Sequence, residues 1–325
     1  QIQSLKTYLQ NANFPIFYFS NIKYIIPTDI IYIKQILELT PSVFQPQRYH
    51  YPFFKKFIGY NVDTVSGCPW KSQRVLNEKV LIKNYLRKYA TYYNQTIQQF
   101  LQQSIPQNYD DFKQLSKQIM CKIIFNKNNI PTKVCHFLLQ PNKILNTSKM
   151  SEKSINNIRV FILNELHFSK PLSLLSLCKD THFTKDELIE IIPPWIFPIA
   201  SLIHTLIPRI LTYIIHHHKM EFVKKELRVL DLTDVDAICE TTYLKQCILE
   251  TLRLNCPTSS TIRILSKPFT YNQGNTFYKN NLFILLNNEI LHHKECFDNP
   301  HQFIPERWTE KKEEMYSSLL FNQGP

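Results

Sequence analysis

Hydrophobic residues recur at intervals of three and four positions in three long stretches of the chain. These stretches are 85–103, 109–126 and 243–254, where Tyr, Leu, Ile and Phe are interspersed with polar residues. Such spacing places the hydrophobic side chains along one face of a helix. The pattern therefore predicts three amphipathic helices, each packed on a core through its apolar face.

A different pattern near the start of the chain predicts β structure. Residues 14–26 are rich in β-branched and aromatic side chains with a polar break in the middle, which is typical of a hairpin. Thr28 or Asp29 can then cap a helix that runs through Leu39. Turn signals within 269–286 separate runs that predict further short strands. The predicted fold class is mainly α with small β-sheets.

Residues 191–208 contain no charged side chain, a length at which a membrane span must be considered. Four prolines in this stretch and the amphipathic pattern that follows it favour instead a long buried helix entered through a Pro-rich turn. The three consecutive histidines at 216–218 would point about 100° apart on a helix, so they cannot converge on one ion. We expect a solvated turn there and no metal site.

Composition places few further limits on the fold. The chain has 325 residues, 44% of them hydrophobic and 13% aromatic, which suffices for a large core. No linker, repeat or low-complexity tract divides it, so a single domain spanning 1–325 is predicted. Residues 128–184 are polar, irregular and weakly patterned, and nothing in them identifies a ligand.

Several function classes are excluded by residue counts. Four glycines in the whole chain leave no room for a dinucleotide fingerprint or a phosphate-cradling loop. Eight cysteines form no C-x-x-C pair, which argues against zinc or a disulfide framework and favours a reducing compartment. The net charge of +12 comes from scattered lysines, so a solvated basic surface is expected rather than a nucleic-acid interface.

Candidate chemistry is concentrated after residue 250, where four short motifs occur. They are E-T-L-R from Glu250, T-I-R-I from Thr261, F-I-P-E-R-W from Phe303 and F-N-Q-G from Phe321. Each is short enough to arise by chance, but their fixed order within 75 residues of sequence is informative.

Glu250 and Arg253 stand three positions apart in a helix-forming run, so both project from one face and can pair. A buried Glu–Arg pair is a poor stabiliser unless further hydrogen bonds satisfy both groups. A third charged partner is therefore expected nearby, and Arg307 in the Pro-containing loop is the candidate. We predict a mutually bonded cluster of these three side chains.

Taken together, the four motifs resemble the C-terminal half of the cytochrome P-450 family, the haem-thiolate monooxygenases. The resemblance implies a cytochrome P-450 fold, with haem as the cofactor. In that family a glutamate and two arginines form a structural triad behind the haem, which here falls on Glu250, Arg253 and Arg307.

The resemblance also implies a set of cofactor-binding residues. Trp70 and Arg74, four apart, share a helix face, and by resemblance they contact one haem propionate while Arg263 contacts the other. An isolated W-x-x-x-R would be an ordinary helix with a Trp at the edge of the core. Phe321 and Gly324 open the family's haem-ligand loop.

In the family, a long helix over the haem carries the motif A/G-G-x-D/E-T-T/S, which supports oxygen activation through organised proton delivery. Counting back from the Glu–Arg helix places 200–205 on this motif, which makes His204 and Thr205 the candidate catalytic residues. Ile203 stands where the family has its acid, and a register one turn earlier also lacks an acid. The A-S-x-x-x-T-x-x-P form is similar to the sterol hydroxylase and prostacyclin synthase branch.

The family pattern F-x-x-G-x-x-x-C would put the thiolate ligand of the iron at position 328, beyond Pro325. None of the eight cysteines stands in that frame. We therefore expect a fragment that lacks the ligand cysteine and the last helix, cut at both ends or shortened in its gene. These residues alone should not give the carbon monoxide spectrum of thiolate-ligated haem.

The predicted function of the complete protein is haem-dependent hydroxylation of an apolar substrate such as a sterol, fatty acid or terpenoid, with electrons from a reductase. Two alternatives stay open: a haem-thiolate isomerase or peroxygenase that needs no electron donor, and a haem-free relative that acts as a structural or interaction module. The resemblance implies an intracellular protein, at the cytosolic face of the endoplasmic reticulum if an N-terminal anchor precedes these residues. No nucleic-acid partner is expected.

Overall fold

The computed structural model describes residues 16–19, 22–46, 59–62, 65, 67–81, 83–131, 134, 152–168, 171–178, 181–258, 260–271, 274 and 276–321. Its α-helices are Ile30–Glu38 (α1), Gly67–Leu81 (α2), Lys83–Gln103 (α3), Tyr109–Phe125 (α4), Glu152–His167 (α5), Lys185–Ile191 (α6), Pro193–His216 (α7), Met220–Leu227 (α8), Val235–Cys239 (α9), Tyr243–Leu254 (α10), Asn287–Leu291 (α11) and Glu310–Phe321 (α12). Its strands are Ile16–Phe19 (β1), Ile22–Ile25 (β2), Phe44–Pro46 (β3), Thr261–Leu265 (β4), Phe269–Thr270 (β5), Thr276–Phe277 (β6) and Leu282–Leu285 (β7). Short 3₁₀ helices lie at Leu174–Cys178 and Pro305–Arg307.

The chain folds into two compact units. Unit 1 comprises 1–48, 213–223 and 242–325, and unit 2 comprises 49–212 and 224–241. Both units are built from separate stretches of sequence. The single domain expected from the absence of linkers stays a prediction.

Unit 1 contains a five-stranded sheet in the order β1-β2-β7-β4-β3, beside the two-stranded pair β5-β6. Strands β1 and β2 form an antiparallel hairpin, β2 pairs in parallel with β7, and β7 and β4 are antiparallel. The predicted hairpin is therefore confirmed. The predicted helix after it is confirmed as well, with Asp29 as its N-cap through a 2.8 Å hydrogen bond from the Ile31 backbone N–H.

Unit 2 is helical, and its hydrophobic core joins side chains from α2, α4, α5, α6 and the first turn of α7. Helix α5 lies within 128–184, where the sequence pattern is weak. Its buried residues Ile158, Phe161, Ile162 and Leu166 follow the three-to-four spacing of an amphipathic helix. The polar residues between them concealed this pattern.

The long helix α7 runs from Pro193 to His216, further than the stretch of 191–208 that we predicted to be buried. Pro193 and Pro194 occupy its first turn, where the missing N–H costs nothing, whereas Pro198 and Pro208 lie inside the helix. Among the described residues, no helix has the length and hydropathy that crossing a membrane requires.

The turn after α7 differs in part from the solvated turn that was predicted. His216 and His218 are exposed, but the His217 ring stacks on Tyr213 at 5.8 Å and on Phe303 at 5.1 Å. Burial lowers the pKa of His217, and the neighbouring histidines and Lys219 lower it further. In the described part of the chain no group of three or more His, Cys, Asp or Glu side chains could hold a metal ion.

Candidate functional site

The centre of the candidate site is a buried ion pair on helix α10. Glu250 and Arg253 are both 0% exposed, and their three-residue spacing places them on one helix face. Arg253 Nε donates to Glu250 Oε2 at 2.8 Å, and Arg253 Nη2 donates to Glu250 Oε1 at 2.9 Å. This two-pronged contact is the strongest geometry that an arginine and a carboxylate can form.

The remaining donors of Arg253 hold the chain that follows α11. Nη1 donates to the carbonyls of Leu291 and Pro300, both at 2.7 Å, and Nη2 also donates to the carbonyl of Gln302 at 3.2 Å. An arginine has five N–H groups, and here every one has an acceptor. Complete satisfaction offsets the large cost of removing the charge from water.

Arg307 is the third charged member, as its position in the F-I-P-E-R-W motif predicted. Its Nε lies 3.1 Å from Glu250 Oε1, an ion pair whose angle falls short of a hydrogen bond. Its terminal nitrogens donate to the carbonyls of Asp298, Asn299 and Gln302. Burial lowers the pKa of Arg307, while the Glu250 carboxylate opposes that shift.

Two further donors reach the Glu250 carboxylate from the same loop. The Ile304 backbone N–H donates to Oε1 at 3.0 Å, and the Trp308 indole donates to Oε2 at 2.9 Å. Trp308 is 3% exposed, so its N–H requires a partner. Sequence reasoning included Trp308 in the motif but gave it no role. A carboxylate accepts about four hydrogen bonds, so a search for further donors beside Arg307 would have found it.

The Phe297 ring packs against the cationic groups of the cluster. The guanidinium carbon of Arg253 lies 4.9 Å from the ring centroid, that of Arg307 lies 5.9 Å away, and Lys312 Nζ lies 4.9 Å away. The ring is fully buried and also contacts Tyr316 at 4.6 Å between centroids. Helix α12 is thereby packed against the ion cluster, since both Lys312 and Tyr316 belong to it.

At the edge of the cluster, Glu306 accepts from Lys219 Nζ at 2.7 Å and from the Tyr243 hydroxyl at 2.9 Å. Burial works against ionisation of Glu306, but the Lys219 ammonium lowers the pKa of its carboxyl below the ordinary value. Burial raises the pKa of Tyr243, and its bond to Glu306 adds to that shift. These contacts join the start of α8 and α10 to the motif loop.

Trp70 and Arg74 lie on helix α2 in unit 2, one turn apart as predicted. Trp70 is partly buried, and the Arg74 side chain is 44% exposed, with its Nε 2.7 Å from Glu78 Oε1. An exposed pair of this kind is worth at most about 1 kcal/mol. Arg74 can therefore exchange Glu78 for a more strongly bound anion at little cost.

Arg263 lies in unit 1, on strand β4 opposite Phe283 in the register with β7. It is 7% exposed, and its Nη1 donates to the Ile262 carbonyl at 3.2 Å. Its convergence with Trp70 and Arg74, which belong to the other unit, stays a prediction.

His204 and Thr205 lie on α7, as the alignment with the long helix predicted. His204 is 7% exposed, and its ring meets the edge of Tyr109 at 5.7 Å between centroids, whereas Thr205 and Ile203 are partly buried. His204 lies nine positions after Trp195, which puts these two side chains on opposite faces of the helix.

Of the two loop residues that the sequence singled out, Phe321 is the last residue of helix α12. Gly324 lies outside the described residues. The proposed part of both in a cofactor loop stays a prediction.

Comparison with known proteins agrees with this geometry. A sequence model described as Cytochrome P450 matches residues 210–325, which include the whole ion cluster. The C-22 sterol desaturase ERG5 of Candida albicans is 33% identical over 93 residues, or 28% of this chain and 18% of that protein. ERG5 of Saccharomyces cerevisiae is 33% identical over 95 residues, with the same coverage of both chains. The matched stretches thus span about a fifth of these relatives.

Among solved structures, the fold resembles that of cyanobacterial CYP120A1 bound to retinoic acid. The TM-score is 0.78 at 15% sequence identity, and the match covers 99% of this chain and 78% of the other. At that identity the likeness concerns the fold, and it confirms the mainly helical architecture with small sheets predicted from the pattern of the chain.

Proposed function

We propose that the protein is a cytochrome P450 monooxygenase that hydroxylates an apolar lipid. The Cytochrome P450 model that matches residues 210–325 and the similar fold support the family and, with it, a haem cofactor. The observation that carries the proposal is the buried cluster of Glu250, Arg253 and Arg307, which lies wholly inside the matched region 210–325.

The residues assigned to the cofactor fit it by their chemistry. Haem presents two propionate carboxylates, and the proposed ligands Trp70, Arg74 and Arg263 supply an indole donor and two guanidiniums. Arg74 is exposed and forms its ion pair with Glu78 on its own helix, so a propionate can replace Glu78. We assign Arg74 with Trp70 to one carboxylate and Arg263 to the other.

Haem, when bound, supplies the oxygen-activation chemistry of this family. In this proposal the Thr205 hydroxyl orients the water that delivers protons, and His204 is the second candidate to pass them on. Ile203 contributes no acid, so the proton must reach Thr205 through His204 or through water. The ion cluster fixes the loop 298–308 and helix α12, whose last residue Phe321 opens the proposed cofactor loop together with Gly324.

An apolar lipid is the proposed substrate class. The two similar proteins from yeasts are named sterol desaturases, and the solved structure of similar fold holds retinoic acid. A sterol, fatty acid or terpenoid meets the same requirement of a large apolar surface. A reductase is the proposed electron donor, for which the net charge of +12 offers attraction to an acidic partner. Endoplasmic-reticulum membrane is the proposed location.

The test uses the full natural gene product, loaded with haem and reduced under carbon monoxide. We expect the difference band of thiolate-ligated haem, and a spin-state shift on addition of a sterol, retinoic acid or palmitate. R74L and R263L should each release haem faster than R228L, which removes an exposed arginine in the loop after α8. Absence of haem binding would support the haem-free structural module instead.

A second function is favoured by one residue. Ile203 stands where the family acid is expected, which weakens proton delivery and permits an isomerase or peroxygenase that needs no reductase. Oxidation of the substrate by an added hydroperoxide would identify a peroxygenase. Isomerisation of the substrate without any electron donor would identify an isomerase. Dependence of product formation on NADPH and a reductase would identify the monooxygenase.

A further inference from the structure

A buried indole of unit 2 makes a polar contact that the proposed function does not use. Trp195 Nε1 donates to Asn77 Oδ1 at 2.8 Å, across 118 positions of sequence. Trp195 is 3% exposed and sits in the main hydrophobic core with Leu76 and Val80. A buried indole N–H needs a partner, and here Asn77 provides it.

Asn77 lies on a defined face of helix α2. Trp70, Arg74 and Asn77 are spaced at i, i+4 and i+7, so the three side chains lie within a narrow sector of that helix. The core residues Leu76 and Val80 occupy the neighbouring sector. Asn77 thus stands where the buried face of α2 meets the face that carries Trp70 and Arg74.

Trp195 belongs to the first turn of α7, directly after Pro193 and Pro194. Ten positions later the same helix carries Thr205. The helix is continuous from Trp195 to Thr205, with Pro198 between them, so the position of its first turn contributes to the position of that residue. The Trp195–Asn77 bond therefore joins the helix of Thr205 to the helix of Trp70 and Arg74.

The segment that leads into α7 holds α2 at two other points. Ser72 Oγ lies 3.2 Å from His182 Nε2. Gln73 donates to the Tyr60 carbonyl at 2.9 Å, and the Tyr60 N–H donates to Glu190 at 2.8 Å. The Ser72–His182 and Tyr60–Glu190 contacts are exposed, whereas the Gln73–Tyr60 and Trp195–Asn77 bonds are partly buried. The Trp195–Asn77 bond joins α7 and α2 directly, whereas Gln73 reaches the segment before α7 only through Tyr60.

We infer that Trp195 and Asn77 are positioning residues, which set the crossing of α7 over α2 and so hold the cofactor-binding face of α2 in register with Thr205. This inference rests on the proposed function, because it takes Trp70 and Arg74 as haem ligands. Neither Trp195 nor Asn77 needs to touch haem or substrate.

The test compares W195F, N77L and the double variant in the full natural gene product. Phenylalanine keeps most of the apolar packing of Trp195 but removes its N–H, and leucine removes the acceptor at similar size. The matched control is L76A, which weakens the same helix on its core face without touching the bond. Two readouts are needed, the rate of haem transfer to an acceptor globin and backbone amide exchange in haem-free protein.

Loss of one net hydrogen bond changes an equilibrium or rate constant by about two- to tenfold. We expect W195F and N77L each to speed haem release by about that factor, and the double variant to match the singles, because both remove the same bond. Amide exchange should rise around Asn77 in the third turn of α2 and in the first turn of α7. L76A should lower overall stability while leaving haem release within about twofold of wild type.

Failure of the wild-type protein to bind haem would overturn the proposed function. The exchange data would still show whether the Trp195–Asn77 bond stabilises the two turns that it links. If wild type binds haem but W195F and N77L release it no faster than L76A does, the positioning role is wrong. Exchange that rises evenly over unit 2, rather than at the two linked turns, would equally overturn the inference.

Discussion

Glu250 shows how much a single buried carboxylate can organise. It accepts hydrogen bonds from Arg253 on its own helix and from Ile304 and Trp308 in the following loop, and it pairs with Arg307. Because each acceptor position is used, the charge is stabilised inside the core. Removal of any one donor leaves part of that charge without compensation.

The two arginines should differ in how much stability they contribute. R253A removes both direct bonds to Glu250 and all the contacts that hold the Leu291, Pro300 and Gln302 carbonyls, so we expect a loss of about 5 kcal/mol in the free energy of unfolding. R307A leaves Arg253 in place and should cost about 3 kcal/mol, the lower end of the range for a broken buried pair. Urea unfolding of the haem-free protein measures both values.

The matched control is Lys245, whose Nζ lies 2.6 Å from Glu313 but whose side chain is 50% exposed. A surface pair contributes about 0–1 kcal/mol, so K245A should change stability little. A loss for R307A no larger than that for K245A would show that the buried cluster adds no stability.

At the level of single residues, the sequence predicted the charged members of the cluster but not their neutral partners. Helical spacing brought Glu250 and Arg253 together, and the cost of burial called for Arg307. The acceptor carbonyls of Leu291 and Pro300, and the Phe297 ring between the cations, depend on how the chain after α11 folds back. The hydrophobic periodicity of the sequence does not predict the path of that loop.

Among the elements, the predictions that succeeded depended on strong local signals. The β1–β2 hairpin and the Asp29 cap follow from residue types a few positions apart. Helix α5 was missed because asparagines and charged residues surround its apolar positions, and one of them, Glu165, is itself buried and 2.5 Å from Lys127 Nζ. A buried carboxylate paired with a partly exposed lysine makes a core position resemble a surface position.

One connection in unit 2 depends on a glycine for two independent reasons. Gly59 has φ of +73°, and a Cβ built on it would lie 2.8 Å from Glu190 Cδ. Glu190 in turn accepts from the Tyr60 N–H at 2.8 Å and from Arg159 at 2.9 Å. Any side chain at this position must therefore displace a carboxylate that holds two other segments.

We expect G59A to lower the free energy of unfolding by about 2–3 kcal/mol, of which about 1–2 kcal/mol is the left-handed backbone cost and the rest comes from the weakened Glu190 contacts. G274A separates these two causes, since Gly274 has φ of +81° but nothing lies within 4 Å of the position that a Cβ would occupy. G274A should cost only about 1 kcal/mol. Equal losses for both variants in thermal unfolding would show that the contact with Glu190 is unimportant.

For the whole molecule, the chain order explains why no domain boundary is visible in the sequence. The chain passes between the units at 48/49, 212/213, 223/224 and 241/242, and none of these points lies in a Gly- or Ser-rich stretch. Neither unit can be cut out as one contiguous piece. This connectivity was not predictable, because it depends on contacts between stretches far apart in sequence.

Such interleaving predicts that the two units unfold together. The three tryptophans allow a direct test, because Trp308 lies in unit 1 whereas Trp70 and Trp195 lie in unit 2. In a W70F/W195F background, Trp308 fluorescence reports unit 1 alone. Adding L76A then weakens the core of unit 2 by about 2–5 kcal/mol without touching unit 1.

If unfolding is cooperative, the urea midpoint seen by Trp308 should fall with L76A, and it should coincide with the midpoint from far-ultraviolet circular dichroism. If the units unfold independently, the Trp308 midpoint should stay at its value in the background variant while circular dichroism shows an earlier transition. The chain passes from one unit to the other four times. Unfolding of one unit therefore releases the ends of segments that belong to the other unit. We therefore expect a single transition, and two separated midpoints would contradict the single-domain prediction.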